Sequence, residues 1–145
     1  MVRIELMTWE RARAEASRIR FKVFVEEQGV PRDIELDERD ALCVHALAYE
    51  HEKVVGTGRL LPPAEETAAA AQVGRMAVLP ECRGRGIGSR ILEELMDKAR
   101  QRGDKQLTLS AQIHAVEFYK SHGFQAMGEI YDEAGIPHRK MRRNL

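Results

Sequence analysis

The segment Val73–Leu92, VGRMAVLPECRGRGIGSRIL, constrains the fold of this chain most, because it joins a strand to an amphipathic helix through a glycine-rich turn. Three glycines follow Pro80 at alternate positions: Gly84, Gly86 and Gly88. Glycine lets a ligand approach the backbone, and the first N–H groups of a helix have no partner within it. The segment therefore predicts a phosphate site, to which three polar side chains contribute: Arg83, Arg85 and Ser89.

The spacing of the glycines decides between kinds of phosphate site. A P-loop needs Gly-Lys-Ser or Gly-Lys-Thr, and neither tripeptide occurs in the sequence. The dinucleotide pattern GxGxxG also fails, because the turn reads G-R-G-I-G. The pattern that fits is Arg-x-x-Gly-x-Gly, at Arg83, Gly86 and Gly88. A purely structural turn with solvated arginines is the alternative that the residues leave open.

Hydrophobic periodicity predicts the remaining elements. Strands are predicted over Val2–Leu6, Cys43–Glu50, Lys53–Leu61, Gln72–Leu79, Gln106–Ala111, Phe124–Ile130 and His138–Arg143. Helices are predicted from Thr8 to Gln28 and over Ile87–Arg102 and Ala115–His122, and loops over Ile34–Asp40, Pro62–Ala71 and Asp132–Pro137. This order, β-α-β-β-β-α-β-α-β-β, predicts one mixed α/β domain over residues 1–145.

Composition and charge exclude several classes of protein. Of 145 residues, 43% are hydrophobic and 32% charged, with 23 basic and 23 acidic side chains. Disordered and membrane proteins are therefore excluded, and a protein with no net charge has no general attraction for nucleic acid. The five histidines and the two cysteines, Cys43 and Cys82, have no metal-ligand spacing. With no signal-like apolar run, we expect a cytoplasmic protein with reduced thiols, although Cys82 beside Arg83 could be reactive.

A second motif, QIHAVEFYKSHGF, spans Gln112–Phe124. Together with the glycine-rich turn it resembles the GNAT N-acetyltransferase superfamily, whose members carry N-x-x-A-x-x-F-Y-x-x-x-G-F after the fifth strand. Gln112 replaces the usual asparagine. The resemblance implies an α/β (α+β) fold with a central mixed sheet of about six to seven strands, flanked by helices. The fourth and fifth strands are expected to splay apart and admit acyl-CoA.

The resemblance also implies a reaction, the direct transfer of an acetyl group from acetyl-CoA to a primary amine of a small molecule or peptide. Tyr119 would be the general acid that protonates the leaving thiolate, and the Val78 N–H would support the thioester oxyanion. The residues implied at the acetyl-CoA site are Met76, Ala77, Val78, Arg83, Gly84, Arg85, Gly86, Ile87, Gly88, Ser89, Gln112, Ala115, Phe118 and Tyr119. A non-catalytic acyl-CoA sensor would need no Tyr119, and a ping-pong route through Cys82 would need a histidine partner. Many members of the family form dimers, so by analogy we expect that this chain can form a homodimer.

The acceptor side is less defined, because the fourth strand lacks the carboxylate that many relatives use as a general base. The candidates for this role are Glu26, Glu27, Glu35, Asp37, His45 and His138. From about Arg18 to Arg143 the chain is similar to the ElaA/YjcF-like bacterial branch, through FVEEQGVP, ELDERDALCVHALAY and GIPHRKM. That similarity favours Glu26, Glu27 and His138 as acceptor-pocket residues. A structural His45 and a solvated acidic loop are the competing interpretations.

Overall fold

A computed structural model describes residues 1–64 and 70–145. Over these residues seven strands form one mixed sheet in the order β1-β2-β3-β4-β5-β7-β6. The strands are β1 (Val2–Met7), β2 (Val44–Glu50), β3 (Lys53–Leu61), β4 (Ala70–Val78), β5 (Gln106–Gln112), β6 (Gln125–Glu133) and β7 (Ile136–Asn144). Only the β4–β5 pair is parallel. The predicted mixed sheet flanked by helices is confirmed.

Within residues 1–64 and 70–145, four α-helices accompany the sheet, and other helical geometries extend or separate them. The α-helices are α1 (Trp9–Arg20), α2 (Arg32–Glu35), α3 (Ile87–Gln101) and α4 (Val116–Ser121). A π-helical segment, Phe21–Glu27, continues α1, and 3₁₀ turns cover Glu38–Leu42, Pro80–Cys82 and Ile113–Ala115. In the π-helical segment the Gln28 N–H donates to the Val23 carbonyl at 3.1 Å, five residues earlier. The segment ends before Gly29, whose φ is +76°.

The core lies where α1 and α3 pack against β3, whose residues 54–60 are all buried. The buried side chains of α3 recur every three or four residues, as the sequence predicted: Ile87, Ile91, Leu92, Leu95, Met96 and Ala99. Gly58 of β3 permits this close packing. A Cβ there would lie 2.6 Å from the Met76 sulfur and 3.0 Å from Ile91 Cγ2. Burial of α3 therefore fixes the position of its N-terminus relative to the sheet.

Strands β4 and β5 pair only over Ala70–Gln72 and Gln106–Thr108 and then diverge, which confirms the predicted splay. A bulge in β4 occurs at the same level. Thr57 of β3 pairs with Ala77, whereas Arg59 pairs with Gly74, so β4 carries an extra residue between them. Arg75, in this bulge, has a φ of +52°. The bulge and the splay together open a cleft in the middle of the sheet.

Three segments differ from the sequence-based predictions. The predicted loop Ile34–Asp40 contains the end of α2 and the start of a 3₁₀ turn. The final hairpin is longer than predicted, because β6 and β7 extend to a two-residue turn at Ala134 and Gly135, both with positive φ. The predicted loop Pro62–Ala71 lies partly outside the described residues, and its last two residues belong to β4.

Candidate active site

The cleft between the diverging strands has a volume of about 1160 Å³. One wall consists of residues 74–78 of β4 and the glycine-rich turn, and the other of the end of β5 and the start of α4. The π-helical segment, α2 and the β6–β7 turn surround the remaining mouth. Both sequence motifs therefore face one space, which is large enough for an extended ligand of several hundred daltons.

The glycine-rich turn presents its backbone to this cleft. Gly84 and Gly86 have φ angles of +79° and +78°, and a Cβ at either position would meet nothing within 4 Å. These glycines are therefore required by backbone conformation rather than by crowding. The first helical bond of α3 runs from the Arg90 N–H to the Gly86 carbonyl. The N–H groups of residues 87–89 precede this bond, so they have no acceptor within the helix and are available to bind an anion.

The two arginines of the turn are paired with carboxylates. Arg83 donates to both oxygens of Glu27, at 2.7 and 2.6 Å, and its Nε donates to the Val78 carbonyl at 2.9 Å. Arg85 binds both oxygens of Glu50, at 2.7 and 3.1 Å. The sequence-based prediction treated these arginines as charge for a phosphate. In the structure they brace the turn against the π-helical segment and β2.

Met76, Ala77 and Val78 line the cleft after the bulge. The Leu79 N–H donates to the Val55 carbonyl on the β3 side. Because successive N–H groups of a strand point to opposite edges, the Val78 N–H points towards β5 and into the splay. An N–H group that points into the cleft is available to a ligand, and the predicted role of Val78 as an oxyanion donor stays a prediction.

Tyr119 lies in the middle of α4, lines the cleft and is 8% exposed. Its ring packs edge-on against Phe118 and Phe124, at centroid distances of 5.0 and 5.9 Å. Burial raises the pKa of Tyr119 to about 12, so the phenol stays protonated at neutral pH. A protonated phenol beside the cleft can donate a proton but cannot act as a base.

The other residues of the second motif shape the same wall. Ala115 and Phe118 line the cleft, and the Phe118 ring lies 3.7 Å from the position of a Cβ on Gly88. Gln112 donates to the side-chain carbonyl of Gln28 at 2.7 Å. Gln112 ends β5, and Gln28 directly follows the π-helical segment. The glutamine that stands in place of the usual asparagine therefore makes a contact across the mouth of the cleft.

His138 lies where β7 begins, paired with Gln112 across the strands, and is 6% exposed. Its Nδ1 is 2.7 Å from the Ile136 carbonyl, and its Nε2 is 3.7 Å from a Glu133 carboxylate oxygen. The imidazole stacks on Tyr131, whose hydroxyl is hydrogen-bonded to Ser110. Since a carbonyl only accepts, the contact with Ile136 places the proton of the neutral ring on Nδ1 and leaves a lone pair on Nε2.

A largely buried charge cluster forms the wall of the cleft beside α2. Its members are Arg20, Glu35, Asp37, Asp40, Arg59 and Arg75. Arg20, 1% exposed, donates to Glu35 at 2.9 Å and to Asp40 at 2.8 Å. Arg59 donates to Asp37 at 2.9 Å and to Asp40 at 2.8 Å. The interpretation of the acidic segment as a solvated loop was therefore wrong, because its carboxylates neutralise three arginines.

Burial changes the protonation of this cluster. Burial alone would raise the pKa of Asp40, but hydrogen bonds from Arg20 and Arg59 outweigh it and lower the pKa to about 2. For Glu35 burial dominates over the arginines and raises the pKa. Arg75 completes the cluster, with its Nε 3.1 Å from Glu35 and its Nη2 3.3 Å from Asp37. Sequence analysis missed Arg20, Arg59 and Arg75, although arginines inside predicted helices and strands were an available signal.

Two of the predicted acceptor-side residues lie away from the cleft. His45 is 1% exposed, packs against Trp9 at a centroid distance of 4.8 Å, and has its Nε2 2.9 Å from the Asp40 carbonyl. Burial lowers its pKa. Glu26 is exposed and does not line the cleft. Glu27 lies at the mouth but is paired with Arg83, which lowers its pKa. His45 therefore has a structural role, as the competing interpretation held.

Cys43 and Cys82 are both buried free thiols, and burial raises the pKa of Cys43 to about 11. Within residues 1–64 and 70–145, no group of three or more histidine, cysteine or acidic side chains could hold a metal ion. Over the same residues, no helix has the length and apolar character to cross a membrane.

Comparison with known proteins identifies this arrangement. The model of the acetyltransferase (GNAT) domain family matches residues 11–145. The uncharacterized N-acetyltransferase YjcF of Bacillus subtilis is 36% identical over 127 residues, which cover 87% of this chain and 88% of YjcF. An acyl-CoA N-acyltransferase from Pseudomonas aeruginosa has a TM-score of 0.86 and 30% identity, covering 99% of each chain. Escherichia coli ElaA superposes over 99% of each chain with a TM-score of 0.86 and 27% identity.

Proposed function

The chain belongs to the GNAT acetyltransferase family and is an acyltransferase, and on that premise we propose that it transfers an acetyl group from acetyl-CoA directly to a primary amine. The observation that carries the proposal is the meeting of two features in one cleft. The N–H groups at the start of α3, which have no acceptor within the helix, lie at the glycine-rich turn, and the buried Tyr119 lines the same cleft. The first feature can hold the diphosphate of acetyl-CoA, and the second can protonate a leaving thiolate.

The residues divide the work of the reaction along the cleft. The N–H groups of residues 87–89 hold the diphosphate, and the β4 backbone at Met76–Val78 binds the pantetheine amides. The amine attacks the thioester carbonyl, and the Val78 N–H stabilises the oxyanion that forms. The carbon–sulfur bond then breaks, its electron pair stays on sulfur, and the Tyr119 hydroxyl supplies the proton. Acyl transfer in one ternary complex needs no covalent intermediate at Cys82.

We assign the acceptor's proton to His138, because its Nδ1 is bonded to the Ile136 carbonyl and its Nε2 lone pair is free to accept. Once protonated, the imidazole would be stabilised by Glu133, 3.7 Å away. Glu133 is half-exposed, so it would also attract an acceptor that arrives as an ammonium ion. Glu26 and His45 lie away from the cleft and are not assigned to this side, and we assign Glu27 to the Arg83 pair.

The test begins with calorimetric titration of the purified protein with acetyl-CoA. A double variant, Arg83→Ala/Ser89→Ala, should bind more weakly, and thiol release would then be measured with a panel of primary amines. For Tyr119→Phe we expect kcat to fall about 10²- to 10⁴-fold with the acetyl-CoA affinity retained, as for loss of a general acid. Tyr49→Phe, on β2, is the matched control. Binding of acetyl-CoA without thiol release from any amine would favour a non-catalytic sensor instead.

A further inference from the structure

Ser89, His122 and Glu93 form a chain of polar contacts at the start of α3. Ser89 lines the cleft, and its Oγ is 3.0 Å from His122 Nε2. His122 Nδ1 is 3.3 Å from a Glu93 carboxylate oxygen. His122 does not line the cleft. Its side chain is 13% exposed and packs on Phe118, at a centroid distance of 5.1 Å. The histidine therefore lies behind the serine, on the side away from any bound ligand.

The neighbours of His122 determine which way the serine proton points. Two charged groups contact it: Glu93 from α3, and Arg143 from β7, which donates to the His122 carbonyl at 2.8 Å. A carboxylate beside Nδ1 favours the tautomer with its proton on that nitrogen. Nε2 of the neutral ring then only accepts, so the Ser89 O–H must donate to it. In this state the serine directs a lone pair, not a proton, into the cleft.

A diphosphate beside Ser89 changes this balance, because phosphate oxygens only accept hydrogen bonds. If His122 gains a proton, its Nε2–H donates to Ser89 Oγ, and the hydroxyl proton becomes free to bond a phosphate oxygen. The negative charges of the diphosphate and of Glu93 both attract a protonated imidazole, whereas the positive charge of Arg143 repels it. When the hydrogen bond between Ser89 and His122 reverses its direction, the Ser89 hydroxyl no longer directs a lone pair at the phosphate and can donate a hydrogen bond to it.

We propose that His122 is a positioning residue for acyl-CoA, which takes up a proton from solvent as the diphosphate binds and so turns the Ser89 hydroxyl towards the phosphate. This inference rests on the proposed function, since it takes the glycine-rich turn to be the acyl-CoA site. His122 occupies a position that the family motif leaves unspecified, and its contacts with Ser89 and Glu93 distinguish it from His114, which lines the cleft in an exposed position.

The experiment is calorimetric titration with dephospho-CoA at constant pH near neutrality, in buffers of different ionisation enthalpy. Dephospho-CoA lacks the 3′-phosphate, a phosphate monoester that itself titrates near pH 6. The slope of binding enthalpy against buffer enthalpy gives the protons taken up. We expect net uptake by the wild-type protein, none by His122→Gln, and roughly three- to tenfold weaker binding by that variant at pH 6.5, as for loss of one ordinary hydrogen bond.

Two further variants keep the test informative. His114→Gln should take up protons like the wild type. Glu93→Gln, changed at a side chain that is 56% exposed, should reduce the uptake even if His122→Gln does not fold. Binding without proton uptake, or uptake that persists in His122→Gln, would overturn the role of His122 and leave the proposed function intact. Failure of the folded wild-type protein to bind either acetyl-CoA or dephospho-CoA would overturn both.

Discussion

The arginines of the glycine-rich turn and those of the buried charge cluster make similar ion pairs in different surroundings. Arg83 and Arg85 each meet both oxygens of one carboxylate, but their side chains remain 42% and 49% exposed. Arg20 and Arg59 make bonds of similar length while 1% and 7% exposed. Exposed pairs contribute little to stability, whereas breaking a buried pair leaves an uncompensated charge. The comparison shows that burial, not bond length, determines which arginines the fold depends on.

Arg20→Met tests the buried side of this comparison and should have the largest effect. It leaves Glu35 and Asp40 without their shared partner, which should lower the free energy of unfolding by about 3–5 kcal/mol. Urea denaturation measures the change. Arg13→Met is the matched control, because Arg13 is an exposed residue of the same helix. A loss no greater than that of Arg13→Met would contradict the assigned role of the cluster.

The pH dependence of the cluster should be the next largest effect. The folded pKa of Asp40, about 2, lies below the ordinary value of about 3.9, so ionised Asp40 stabilises the fold. This contribution, ~2 kcal/mol, is fully present above pH 4 and is lost as pH falls towards 2. The pKa of Glu35 is raised in the folded protein, so protonation of Glu35 at low pH stabilises the fold and opposes the effect of Asp40. NMR titration of the Asp40 carboxyl group, together with urea denaturation at each pH, would separate the contribution of Asp40 to the free energy of unfolding from that of Glu35. An Asp40 that titrates near 4 would refute the prediction.

Gly86→Ala should have a smaller effect, which arises from the backbone of the turn. With a φ of +78° and no neighbour within 4 Å of the new Cβ, the substitution costs about 1–2 kcal/mol of conformational energy. Thermal unfolding measures this loss. Gly88→Ala is the control, since a Cβ there would make ordinary contacts of 3.7–3.9 Å without a positive φ. Equal stability of the two variants would show that the turn does not require its left-handed glycine.

Glu27→Gln should have the smallest effect. The Glu27–Arg83 pair is 38% and 42% exposed, so its loss should change the free energy of unfolding by less than about 1 kcal/mol. Because the variant frees Arg83, acetyl-CoA should bind as tightly as to the wild type, or more tightly. Denaturation and calorimetric titration check both statements. Destabilisation comparable to that of Arg20→Met would erase the difference between the two groups of arginines.

The two regions also differ in how well the sequence predicted them. The glycine-rich turn depends on residues that are adjacent in sequence, so periodicity and glycine spacing located its strand, turn and helix. The cluster joins residues 15 to 40 positions apart, such as Arg20 with Glu35 and Arg75 with Glu35. No local pattern marks such partners, and the acidic run resembled a solvated loop for that reason.

Some details of the cleft were also beyond local patterns. The pairing of Arg83 with Glu27, and of Gln112 with Gln28, depends on where the π-helical segment ends relative to the sheet. The sequence predicted a helix over the π-helical segment but did not indicate that the helix is π-helical there. His122 was missed because the family motif leaves its position unspecified, and its partner Ser89 lies 33 residues away.

At the end of the π-helical segment that continues α1, Glu27 pairs with Arg83 and the next residue, Gln28, is hydrogen-bonded to Gln112. Each residue of a regular helix turns the chain by about 100°, so losing or gaining one residue in Phe21–Glu27 would rotate both side chains off their partners at once. A substitution of Glu27 or Gln28 therefore removes one of the two contacts, whereas an insertion or deletion in the segment removes both. In descendants of this sequence we expect insertions and deletions to fall after Gly29 and to spare the stretch before it.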